Sequence, residues 1–111
     1  MLHRNSYKQF SEIVEYIRNS GDEGDDFCLY GGGSDVLNST DEYYISDYPD
    51  VINDKQILPA SVMALGLSYV YSGQQFSDVI SLVFEQKPDA SFEDCARALN
   101  YYQDHDEFLD F

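Results

Sequence analysis

The segment "SGQQFSDVISLVFEQKPD", residues 72–89, constrains the fold more tightly than any other stretch of the chain. Ser72 and Gln75 have the spacing of a capping box, in which the hydroxyl bonds the third helical amide while the longer side chain reaches back. Phe76, Val79, Ile80, Val83 and Phe84 then recur at i, i+3, i+4, i+7 and i+8, a single apolar stripe. Such a helix needs a layer to lie on, and the neighbouring segments have the composition of strands.

"FCLY", "EYYISDY" and "LSYVYS" are short runs of strand formers, and "DVLN" is a fourth candidate. In "EYYISDY", alternation puts Tyr43, Ile45 and Asp47 on one side and Tyr44, Ser46 and Tyr48 on the other, which predicts a sheet with one solvated face. Pro49 ends that strand or holds it at an edge. The glycines of "GGGSD" predict a turn.

Three more helices are predicted. One runs from Tyr7 to about Asn19, capped by Ser6 with Gln9 and stopped by Gly21; Tyr7, Phe10, Ile13, Val14 and Ile17 form its apolar side. A short one opens at Pro59 and stops at Gly66. The last is capped by Ser91 and carries Phe92, Cys95, Ala96, Leu99 and Tyr102 on one face; the acidic end beyond it is expected to fray unless Phe108, Leu109 and Phe111 dock it. The expected architecture is a single α+β domain over residues 1–111, with two to three helices packed on a small, mostly antiparallel sheet.

With 43% hydrophobic residues the chain is expected to fold despite a net charge of -15. No apolar run approaches the roughly 20 residues of a membrane span, and "MLHRNSYKQF" does not have a signal peptide's apolar block, so a cytoplasmic protein is expected. Cys28 and Cys95 lie within apolar patterns and read as buried, reduced thiols.

Sites for chemistry are harder to find. "GGGSD" does not have the lysine of a phosphate-binding loop or the second glycine of a serine nucleophile elbow. A calcium loop opening at Asp22 would need a glutamate where Gly33 stands. His3 and His105 lie at opposite ends, and Asp104, Asp106 and Glu107 beside His105 read as solvated. No enzyme, cofactor or metal site is expected. Six basic residues against 21 acids would repel a phosphate backbone, which argues against direct nucleic-acid binding.

The charge is segregated. Residues 19–54 hold ten acids and no base, and residues 89–111 hold seven acids against Arg97 alone. Within these segments, Asp41, Glu42, Tyr43, Tyr44, Asp47, Tyr48 and Asp50, with Tyr101, Asp104 and Asp106, form the expected partner-binding surface. Tyrosine offers a large contact area at little rotamer cost, and carboxylates attract a cationic partner from a distance. Whether the two segments adjoin in space is left open by the sequence.

Residues 58–108 carry a proline-led short helix, a Gly-Leu step, a valine-rich helix ending in "QKP" and a final helix with paired aromatics, after an acidic middle segment. This half resembles a family of small acidic bacterial immunity proteins encoded beside polymorphic toxins, including those of contact-dependent growth inhibition. The resemblance implies a protein, monomeric when not in complex, that neutralises a cognate toxin, a tRNase or DNase domain, by covering its basic active cleft. The alternative is a nucleic-acid mimic of the anti-restriction or anti-CRISPR type.

Overall fold

In the computed structural model, which describes residues 2–32 and 36–110, the chain runs β1 (Ser6–Gln9), α1 (Phe10–Ser20), β2 (Cys28–Gly31), β3 (Glu42–Ser46), β4 (Asp50–Ile52), β5 (Lys55–Ile57), α2 (Ala60–Ala64), β6 (Ser68–Ser72), α3 (Gly73–Gln86) and α4 (Phe92–His105). Four strands form one antiparallel sheet in the order β1-β3-β2-β6, and β4 and β5 form a separate hairpin. The fold is α+β, as the periodicities predict. Among the described residues no helix is long and apolar enough to cross a membrane.

The two best-marked helices form where their caps place them. The Ser72 hydroxyl accepts from the Gln75 amide at 3.1 Å, and Ser91 accepts from Asp94 at 3.0 Å while Asp94 accepts from the Ser91 amide. The first helix begins later than predicted. Ser6–Gln9 is extended and pairs with Glu42–Ile45, so Gln9 becomes the cap residue and Glu12 accepts its amide. Four ladder partners outweigh one turn of marginal helix propensity. "DVLN" is not a strand: Val36–Asn38 is a loop, clamped where Asn100 accepts from the Leu37 amide at 2.8 Å and donates to its carbonyl at 2.9 Å. The rest of the triple-glycine turn, residues 33–35, lies outside the described residues, as does Phe111.

Helices α1, α3 and α4 cover one face of the sheet. Phe10, Ile13, Val14 and Ile17 meet Phe76, Val79, Ile80 and Val83, with Leu29, Tyr43, Ile45 and Tyr71 below them and Leu99 alongside. The other face, expected to be solvated, is covered over the two central strands, while at the edges Tyr7 and Tyr69 remain 46% and 40% exposed. Tyr7, Tyr44, Tyr30 and Tyr69 stand opposite one another, one from each strand, in a row across the whole sheet. Tyr7 meets Tyr44 edge-on at 5.0 Å and Tyr30 meets Tyr69 at 6.0 Å. Val62 of α2 closes over Cys28, Tyr30 and Tyr44, with Leu58, Leu67 and Tyr48 at the margin.

The acidic turn before β2 is tied to the start of α3. Gly24 adopts φ +74°, and a Cβ there would lie 2.1 Å from the Gly73 backbone; one on Gly73 would lie 2.3 Å from the Phe27 carbonyl. Backbone meets backbone at this point, and the Gly73 amide donates to Phe27 at 2.9 Å. Gly73→Ala is expected to lower stability by about 3 kcal/mol or more, read as a fall in the urea midpoint.

Cys28 and Cys95 are buried and unpaired, as predicted. Burial pushes the thiol of Cys28 up to about 11 and that of Cys95 to about 12, and it raises Tyr30 and Tyr71 further still. Each group is therefore held protonated in the folded protein. The stability this contributes is complete below the unfolded thiol value of 9.0 and declines as pH rises through about 11. Thermal unfolding followed from pH 8 to 11, about the range in which unfolded thiols and phenols ionise, should show a falling midpoint, with Cys28→Ala removing part of the slope above pH 9, the unfolded thiol value.

Candidate functional site

The segment that holds most of the predicted surface residues straddles β3, and the strand separates them. Asp41 and Glu42 stand at its start and Asp47 beyond its end, roughly 17 Å away at strand rise. Between them Tyr43 and Tyr44 are 5% and 4% exposed. These two rings are core and not part of a binding surface, because β3 lies between β1 and β2 with both of its faces covered. The Tyr43 hydroxyl accepts from the Asn38 amide at 2.8 Å, and Tyr44 packs on Tyr7. Tyr48 is half-buried; its hydroxyl donates to the Gly24 carbonyl at 2.8 Å and accepts from the Gln74 amide at 3.1 Å. Tyr101, also half-buried, stacks on His105 with ring centres 4.1 Å apart. Of the four predicted surface rings, two are thus core and two keep part of their surface exposed.

Asp41 and Glu42 border a depression of about 260 Å³ with Gly31, Gly32, Val36 and Tyr43. Val36 also borders a neighbouring depression of about 310 Å³ with Asn100, Gln103 and Asp104. Among the described residues, Val36 is the one lining residue the two depressions share, and it stands between the start of β3 and the end of α4. Asp106 is the left-handed residue that ends α4, and it lines neither depression.

Asp47 and Asp50 occupy the other end of β3, on a cleft of about 350 Å³ completed by Asn5, Ser46, Tyr48, Ile57, Pro59, Ala60 and Ser61. Asp47 is not uncompensated, as the absence of bases from its own segment suggested. The Arg4 guanidinium reaches it at 3.0 Å and Asp26 at 2.9 Å. Asn5 accepts from the hydroxyls of Ser46 at 2.8 Å and Ser61 at 2.9 Å, joining the sheet to the start of α2. The cleft therefore offers carboxylates, hydroxyls and an amide.

The β4–β5 hairpin rises from this cleft, and the sequence reading missed it. Asn53 and Asp54 have φ of 53° and 63°, the two left-handed residues of a type I′ turn, and Ile52 pairs with Lys55 across them. The signal was present in "DVI" and "KQI" separated by two residues that tolerate this conformation. All six strand residues are exposed, Val51 by 73%, Ile52 by 55% and Ile57 by 41%.

A family model described as a domain of unknown function, DUF7716, matches residues 9–111. The chain belongs to the DUF7716 family. The matched part of this DUF7716 protein runs from the end of β1 through α4, and so takes in both acidic ends and the hairpin. No curated protein and no solved structure matches it.

Arg4 holds its two acids at a partly exposed position, where ion pairs contribute little. Arg4→Ala is expected to cost at most about 1 kcal/mol in urea unfolding, with the difference shrinking as salt is added.

Proposed function

We propose that this DUF7716 protein is a cytoplasmic immunity protein that binds and neutralises a cognate bacterial toxin, a nuclease domain whose basic active cleft it covers. The observation that carries this reading is the joining of charge and apolar contact at one place: Asp47 and Asp50 border the cleft from which exposed Ile52 and Ile57 project. A surface of this composition is suited to a cationic protein groove. Carboxylates speed the encounter and screen wrong partners, while buried aliphatic contact slows release. The charge of -15 supports the same sign of partner, and the likeness of residues 58–108 to immunity proteins supports the class. A nucleic-acid mimic would need carboxylates in place of phosphates but has no use for aliphatic residues at its tip, so the hairpin favours a protein inhibitor of the immunity type.

The test is co-expression with the product of the adjacent reading frame. The neighbour is expected to arrest growth alone, to be silenced by this protein and to co-purify with it. A neighbour that is neither toxic nor bound would overturn the reading. In the complex, Asp47→Asn with Asp50→Asn should slow association about tenfold at low salt and weaken its salt dependence, with the unfolding midpoint lowered no more than by Arg4→Ala.

A further inference from the structure

The hairpin has two unlike faces. Asp50 pairs with Ile57 and Ile52 with Lys55, so these four side chains share one face; Val51 and Gln56 share the other. Asp50 and Ile57 line the cleft, which makes the Ile52–Ile57 face continuous with Asp47 and Asp50. The two strands pack chiefly on each other, with none of their side chains in either core. A two-stranded hairpin standing alone is marginal in water, and exposed isoleucines contribute nothing to its solubility.

We propose that the Ile52–Ile57 face of the hairpin is a docking anchor that enters an apolar slot on a basic protein, with Asp50, and Asp47 through the exposed part of the carboxylate it shares with Arg4, meeting cations on the slot's rim. The inference rests on the reading above for the sign of the partner's charge and adds the element that makes contact. Charge complementarity selects this occupant. A second copy of the chain would bring a net charge of -15 against -15, and a phosphate backbone would meet the same repulsion. Lys55, opposite Ile52, is the one base on the face and stands next to the Asn53–Asp54 turn.

Two short peptides of equal charge test this, one alternating lysine with leucine and the other lysine with serine, each titrated into the isotope-labelled protein. The leucine peptide is expected to bind at least about tenfold more tightly, with chemical-shift changes concentrated in residues 47–57. Ile52→Ser with Ile57→Ser should abolish that advantage while leaving the serine peptide's affinity and the thermal midpoint unchanged. Val51→Ser, on the opposite face, should leave the advantage intact. Equal affinity for the two peptides, shifts centred on Asp41, Glu42 and Asp104, or a Val51→Ser effect as large as that of the isoleucine pair would each overturn the proposal. Growth protection is a separate readout; its failure would overturn the immunity reading while these titrations still decide the docking face.

Discussion

Tyr44 lies between Tyr7 and Tyr30 in a row of rings that crosses all four strands, while Tyr43 and Ile45 of the same strand point into the helix layer. Because β3 is buried on both faces, no ionised side chain along it has a place to go, and an unpaired buried carboxylate would cost more than the fold has to spare. Its acids are therefore displaced to the two ends of the strand. The separation of Asp41 and Glu42 from Asp47 and Asp50, which line different depressions, follows from this packing.

The same constraint decides how so acidic a chain stays folded. Part of its charge holds structure in place. Asp22 accepts from the Tyr16 hydroxyl and the Gly24 amide, the first of which does most to hold its carboxyl below the usual range, and the Asp22 carbonyl accepts from Ser77 on α3 at 2.6 Å. Asp94 sits in the first turn of α4, where the helix dipole favours it, and meets Lys87 at 3.0 Å. Arg4 draws Asp26 and Asp47 together from the far end of the chain. Asp47 keeps 72% of its side chain exposed beside Arg4, so a partner can still reach it, as it can the acids that water alone solvates.

Against that closely packed body the β4–β5 hairpin is the exception. It adds no side chain to either core, yet it carries exposed aliphatics at the margin of an acidic cleft. Stability gives no reason for this arrangement; under the function proposed above, apolar burial and charge complementarity would act at one place.

Local signals alone determined α3 and α4, because a cap and a 3.6-residue stripe are written within a dozen or so residues; Ser72 and Ser91 act as their positions predict. The same locality marked β2, β3 and β6 as strands and assigned Tyr43 and Tyr44 to opposite sides. What covers each side was decided by tertiary structure: Val62, Leu58 and Leu67 close over Tyr44 from residues that carry no mark of that task. So too was the fate of Ser6–Gln9, where a plausible helical turn yields to pairing with β3, and that of Asp47, whose cation lies 43 residues away. Sidedness is a property of the chain's own period, whereas exposure depends on which distant segment arrives, and only the packed fold specifies that.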